Sequence, residues 1–323
     1  MTSHPDDAPP LPIDRHRLIL ASAVLQTGQQ AQLNRAVRAG EVQRVRRGVY
    51  TPVGADPPLR GAGRHVLTAF AAAAQRDDPV FAGYTAALLH GMPAVGAIPA
   101  QVTFLAGGAS GRIRNGVIEL GRRADTVVET IGGLRLTSLA EAVLEVGRRS
   151  PLVTALAMVD AAIGRRAEDD RRRSCTLDEL VALLDRRRPF RGSRRVAAAL
   201  ARADPFAESP LESVSRLRFE EYGFPPPRSQ FEVRLTDGRT ARLDFAWPAL
   251  GVWGEADGLG KYGGGGPLAA ATVIEEKRRE DAIRAITGWR CVRWGWRDAW
   301  RGVPLARLLL DAGLPTSGRS RRR

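Results

Sequence analysis

Between about Ser209 and Leu310 the apolar pattern changes period in a definite order. It reads helix (SPLESVSRLRFEEYG), strand (FEVRLT), turn at Asp237-Gly238, strand (TARLDFAW), strand (GVWGEADG), helix (TVIEEKRREDAIRAITG), strand (RCVRWGW) and a final helix. This order constrains the fold more than any other feature, because it places a sheet between helices. Asp244 and Glu255 stand 11 residues apart, one in each of two successive strands joined by Pro248-Ala249-Leu250. In adjacent strands such residues face each other within reach of one cation. Asp257 follows Glu255 by two, so the strand period puts both side chains on one face. Gly254 and Gly258 leave room for a substrate backbone, or mark a bulge and a turn.

A hard divalent cation such as Mg²⁺ takes a few carboxylates with waters and phosphate oxygens. Asp244, Glu255 and one further acid supply that set, and the metal both activates a water and neutralises charge on a phosphate. Glu212 is the candidate third acid. It has a second reading, because Ser209, Pro210 and Glu212 fall at N-cap, N1 and N3 of a helix. Composition matters at this point: of the 49 basic residues only Lys261 and Lys277 are lysines, and both lie in this stretch. An ammonium there positions or deprotonates a water, or stabilises a leaving oxygen. For Lys277 the alternative is a surface helix charge beside Glu275, Glu276 and Glu280.

Several chemistries are excluded. Cys175 and Cys291 are far apart with no CxxC or histidine partner, which supports neither a disulfide framework nor a structural zinc site. All four histidines, His4, His16, His65 and His90, lie in the first 90 of 323 residues, so the C-terminal half works without imidazole. The N-terminal MTSHPDDAPPLP is acidic and proline-rich, unlike a signal peptide, and no apolar run approaches membrane-spanning length. The expected location is the cytoplasm, with no membrane partner. With 49 Lys plus Arg against 35 Asp plus Glu, the net charge is +14, which calls for a polyanion.

That charge is concentrated near the N-terminus. Helical periodicity from Arg15 to Gln26 is broken at Thr27-Gly28, and a second helix runs from about Gln29 to Ala39, with Gly40 beyond it. VQRVRRGVYTPV then reads as a hairpin turning at Arg47-Gly48. Helix, turn, helix, hairpin is the order of a winged helix. Arg35, Arg38, Arg44, Arg46 and Arg47 face a single Glu41 in this segment, a positive face suited to DNA. From Arg64 to Arg165 helices mix with β-type runs at QVTFLA, GVIELG and GLRLTS, and two further helices follow, one opened by the Ser138/Glu141 capping box and one at Ser150-Pro151. His90 ends an apolar helix, where a structural role is expected. Arg165–Arg173 and Arg186–Arg195 read as charged hinges around the helix TLDELVALLDR, opened by Thr176 and Glu179. GRSRRR forms a basic tail.

Two resemblances follow from these motifs. SPLES, LDFAWP, GEADG-LGKY and EEKRREDAIRA-TGWRCVRWGWRD together resemble actinobacterial proteins ending in a domain related to very-short-patch-repair endonucleases, of the PD-(D/E)XK nuclease superfamily. RAVRAGEVQRVRRGVYTP and AGYTAALLHGMPAVGAIPAQVTFL are similar to the abortive-infection type IV antitoxin (AbiEi) family. The first resemblance implies Asp244 and Glu255 as metal ligands of Mg²⁺ or Mn²⁺, with Glu212 as the acid on the first core helix. The superfamily's lysine falls two residues after the second acid, where this chain has Asp257, leaving Lys261 or Lys277 to act from elsewhere. The histidines of very-short-patch-repair enzymes have no counterpart here. The second implies an operator-binding winged helix and a separate nucleotidyltransferase-type toxin as partner.

The expected fold is a multidomain α/β chain: a start without order (1–12), a winged helix-turn-helix (13–55), an antitoxin-like α/β middle domain (64–165), a helical linker (174–204), an αβββαβ PD-(D/E)XK-type core (206–312) and the tail (313–323). Two functions follow, a metal-dependent endonuclease with catalytic candidates Glu212, Asp244, Glu255, Asp257, Lys261 and Lys277, or a non-enzymatic antitoxin-like regulator that keeps only the fold. No stacking aromatics separate RNA from DNA. The six tryptophans, Trp247, Trp253, Trp289, Trp294, Trp296 and Trp300, are assigned mostly to core packing.

Overall fold

A computed structural model of the chain describes residues 9–54, 60–164, 174–257 and 267–317, with the backbone alone described for 267–274. It is a mixed α/β molecule that divides into two compact units, Met1–Val146 and Gly147–Arg323. Among the described residues no helix is long and apolar enough to cross a membrane.

The first unit begins with β1 (Ile19–Leu20), α1 (Ala21–Gln26), α2 (Gln30–Arg38), β2 (Val42–Arg46) and β3 (Val49–Pro52). The strands form one antiparallel sheet ordered β1-β3-β2. Ile19, Val24, Leu33, Ala36 and Val42 make a small core under the two helices. The β2–β3 turn forms where expected, with Gly48 at φ +74°, a conformation that strains other L residues. Helix α1 is shorter than its periodicity implies, because Ile19 and Leu20 pair with Tyr50 and Val49 and are drawn into the sheet. Residues 9 and 10 are tied down as well: Gln29 Nε2 donates to the carbonyls of Pro9 at 2.6 Å and Pro10 at 3.1 Å. The start without order therefore does not extend to residue 12, and residues 1–8 lie outside the described residues.

Next come α3 (Gly61–Ala73), β4 (Val80–Phe81), α4 (Gly83–Leu89), β5 (Val102–Leu105), β6 (Arg112–Arg114), β7 (Val117–Leu120), β8 (Val128–Ile131), β9 (Leu134–Thr137) and α5 (Leu139–Arg149). Six strands make a mixed sheet ordered β6-β7-β5-β4-β9-β8. The runs QVTFLA, GVIELG and GLRLTS are its strands β5, β7 and β9. His90 is buried and its Nε2 lies 2.8 Å from the Thr137 carbonyl, a structural role.

The second unit holds α6 (Leu152–Ile163), α7 (Leu177–Arg187), α8 (Ser193–Leu200), α9 (Pro210–Glu221), β10 (Arg228–Arg234), β11 (Thr240–Trp247), β12 (Val252–Ala256), α10 (Pro267–Thr287), β13 (Arg290–Trp294), α11 (Trp296–Arg301) and α12 (Val303–Asp311). The sheet order is β10-β11-β12-β13, antiparallel except for the parallel β12–β13 pair that α10 connects. Phe219 of α9 packs edge-on against Phe245, Trp247 and Trp294 on one side of this sheet. Leu243, Ala246 and Trp253 join Ile283 of α10 on the other.

Three expectations change here. The middle domain does not run to residue 165, because α6 packs on α8 and α9 in the second unit. Asp160 of α6 is 1% exposed, receives Arg216 Nη2 of α9 at 2.9 Å, and accepts from the Asp204 N–H at 2.9 Å. Residues 186–195 are no loose hinge, since Arg187 ends α7 buried and Ser193 starts α8. The segment 165–173 lies outside the described residues. The tail starts later than residue 313: Leu314 is buried and Ser317 N–H donates to Gly223 O at 2.8 Å, with 318–323 outside the described residues.

Candidate functional site

The acids of the second unit meet where the strand alternation of β11 fails. Leu243 and Ala246 both belong to the α10-side core, whereas Phe245 packs against Phe219 on the α9 side. Two residues of one strand, three apart, can share a face only if the pleat slips between them. Asp244 occupies the slip. Opposite it on β10, Gln230 takes a positive φ of 51°, which is uncommon for a residue with a side chain. Backbone outliers of this kind concentrate at functional sites.

Asp244 Oδ2 accepts from the Ala256 N–H at 2.8 Å. The register Phe245↔Gly254 brings Asp244 beside Glu255, as the spacing implied. Burial raises the Asp244 carboxyl above the usual range, the Ala256 N–H opposes this, and Asp257 adds to it. Glu255 is 8% exposed, and burial followed by repulsion from Asp244 pushes it up to about 7. Glu212, 5% exposed, is pushed up to about 7 by burial, with the Ser209 hydroxyl opposing and Asp244 reinforcing the rise. Asp244 is thus the charge felt by both glutamates. Such perturbation is typical of functional clefts.

Glu212 also serves its helix. The Ser209 hydroxyl accepts from the Glu212 N–H at 3.2 Å and donates to Glu212 Oε1 at 2.7 Å, while Oε2 accepts from Glu208 N at 3.1 Å and Gln230 Nε2 at 2.8 Å. Glu212 therefore caps α9, and its carboxyl also feels the charge of Asp244. The donor types suit a hard cation. Among the described residues, however, no group of three acids, cysteines or histidines stands in metal-holding geometry.

The cations at the site are arginines. Arg279 Nη2 of α10 lies 3.3 Å from Glu255 Oε1. Arg293, in register with Glu255, binds Asp257 at 2.9 Å and reaches Glu280 at 3.4 Å and Glu276 at 3.9 Å. Lys277 is exposed and meets no acid among the described residues, so it does not join the cluster. Lys261 and Gly258 lie outside the described residues. Gly254 serves a different purpose from the one expected: a Cβ there would fall 2.4 Å from the Trp294 ring, so its space belongs to an indole and not to a substrate. Cys291 is inert as a nucleophile, since burial and then Glu280 push its thiol up to about 12.

No family model matches the chain. Two proteins of Mycobacterium tuberculosis, Uncharacterized protein MT2308 (strain CDC 1551 / Oshkosh) and Uncharacterized protein Rv2248 (strain ATCC 25618 / H37Rv), are each 28% identical over 171 residues, 53% of this chain and 58% of theirs. The chain therefore matches little more than half the length of these relatives. The crystal structure of the RV2827C protein from Mycobacterium tuberculosis is similar at 15% identity and a TM-score of 0.38, covering 58% of this chain and 72% of that one.

In the first unit, Arg35, Arg38, Arg44 and Arg47 are exposed on α2 and the hairpin, and Arg46 is half-buried. None of the five has an acidic partner among the described residues. The charge on Arg46 is disfavoured first by burial and then by the nearby Arg76. In the second unit Arg202, Arg216, Arg218, Arg242 and Arg284 are paired to carboxylates. Arg279, Arg293 and Gln230 are the site residues that sequence reasoning missed. The parallel register that brings Arg293 to Glu255 depends on how α10 returns the chain, and nothing local encodes it.

Proposed function

We propose that the chain binds DNA through a winged helix-turn-helix made of α2 and the β2–β3 hairpin, and that its second unit is a PD-(D/E)XK-type fold hydrolysing phosphodiester bonds with Mg²⁺ or Mn²⁺ in the cytoplasm. The observation that carries the catalytic half is Asp244, set at a slipped pleat between two buried glutamates that each hold a proton near neutrality. Three mutually repelling acids destabilise a fold, and a cation offsets that repulsion. Asp244 and Glu255 would hold the metal, with Glu212 as the third acid once its carboxylate turns from Ser209. A bound ion supplies an activated water and neutralises charge on the phosphate. Around it, Arg279 orients Glu255, and Gln230 and Ser209 orient Glu212. Asp257 sits where the superfamily lysine is expected, and its bond to Arg293 makes it an anchor for that guanidinium.

The test is incubation of the purified protein with supercoiled plasmid and Mg²⁺ or Mn²⁺. Nicking that disappears in Asp244→Ala is the expected result; equal nicking by that variant, or none with either metal, refutes the assignment.

A second reading has its own support. Glu212 is engaged in capping, and the lysine position holds a paired aspartate, which fits an antitoxin-like regulator that retains the fold without cleavage. Its partners would be its own operator and a nucleotidyltransferase-type toxin. It predicts sequence-preferring promoter binding, weakened by replacing Arg44, Arg46 and Arg47, with no cleavage in any metal.

A further inference from the structure

A cavity of about 360 Å³ in the first unit is lined by Arg76, Arg112, Arg122 and Arg135, contributed by four separate stretches of chain. We propose that it is a phosphate-binding site. Three of the arginines are held in place before any ligand arrives. Glu119 takes Arg76 on one oxygen at 2.7 Å and Arg112 on the other at 2.6 Å, and Arg76 also lies over the Phe104 ring, 4.7 Å from its centre. Arg135 is paired to Asp78. A guanidinium has five N–H donors, so each arginine keeps donors for a further acceptor, and one already immobilised loses little freedom on binding. Arg122 is half-buried and has no acidic partner among the described residues.

The loop after β5 shapes the other wall. It reads Ala106-Gly107-Gly108-Ala109-Ser110-Gly111. A Cβ at Gly111 would stand 2.5 Å from the Glu119 carbonyl oxygen, and one at Gly121 would stand 2.0 Å from that of Ala109. Glycine is therefore required for the loop to lie against the end of β7. Gly107 lines the cavity, and its N–H has no backbone acceptor among the described residues. A free amide beside guanidinium groups adds a donor for an oxyanion. The lining includes Asp77, Asp78 and Glu119; Glu119 is shared by two arginines, Asp78 is taken by Arg135, and Asp77 is exposed. Four arginines against three acids leave one positive charge, and Arg46 of the hairpin adds to it from beside Arg76.

The phosphate has two sources, a DNA backbone continuing from the hairpin or a free nucleotide. Titration of the whole protein with inorganic phosphate and with AMP, followed by thermal shift, reads the second. Fluorescence anisotropy with a duplex of arbitrary sequence, over a range of salt, reads the first. Arg122→Ala is the variant, and Arg123→Ala, which replaces an exposed neighbour outside the lining, is the control. The expected result is a roughly tenfold loss in one of the two assays for Arg122→Ala alone; if DNA is the source, the salt slope falls by about one phosphate contact. If Arg122→Ala matches the control in both assays, or if phosphate and AMP leave the melting temperature unmoved and DNA affinity is unchanged, the site does not exist. Variants of Arg44 and Arg47 judge the winged-helix reading separately, because phosphate or AMP binding in the pocket does not depend on them.

Discussion

At the scale of single residues, the two buried glutamates make the stability of the metal-free protein depend on pH. Each folded carboxyl holds its proton more tightly than the unfolded chain does, with its value pushed up to about 7 from 4.5. Their contribution is complete below the unfolded value and is lost as pH rises through the folded one. Melting in EDTA should show a loss on the order of 2 kcal/mol for each glutamate between pH 5 and pH 7.5, and Glu255→Gln should remove about half of the total. Gly254→Ala tests the packing beside the site. Its new methyl meets the Trp294 ring at 2.4 Å, so a shift of about 2 kcal/mol toward unfolding is expected in urea titrations. The sequence showed Asp244, Glu255 and Asp257 as a group because the strand period of two is local. It hid Arg279 and Arg293, since their partners depend on a crossover helix and a parallel register, and the scarcity of lysine drew attention to Lys277, which lies apart.

Among elements, α6 is the one whose allegiance pattern alone misjudged. Its apolar residues suit any core, and its true partners, α8 and α9, come later in the chain. The tie is the buried Asp160–Arg216 bond, which burial makes sensitive to loss of either member. Asp160→Ala leaves Arg216 with only its longer ion pair to Asp204 at 3.5 Å and leaves the Asp204 N–H without its acceptor, and should destabilise the second unit by about 3 kcal/mol. Hydrogen exchange should then accelerate in α6 and α9 while β4 to β9 keep their protection. Strands with clear β-type runs, such as β5, β7 and β9, were legible. Strands β1, β4 and β6 are two or three residues long, too short to show a period, and they exist because neighbouring strands offer edges to pair with.

For the whole molecule, the excess charge is divided unevenly in kind. Some arginines of the second unit, Arg202, Arg216, Arg242 and Arg284 among them, are neutralised by carboxylates, whereas those on α2 and the hairpin have none among the described residues. Polyanion affinity should therefore draw on the α2 and hairpin arginines and not on these paired ones. Replacing Arg44 and Arg47 together by alanine should flatten the dependence of log Kd on log salt by roughly two phosphate contacts, while replacing Arg202 and Arg284 should leave it unchanged. The net charge of +14 called for such a partner, but a sum cannot say which arginines are free. That depends on which acids the fold brings near, and so it emerges only when the chain is folded.

Arg293 also limits the paths open to a lineage descending from this chain. Changing Asp257 alone to lysine sets an ammonium against a guanidinium that Glu276 and Glu280 hold in place. Changing Arg293 first leaves Asp257 facing two glutamates without a cation. The two orders differ: the first leaves two cations among two glutamates, whereas the second leaves three acids without their shared cation and carries the greater cost in stability.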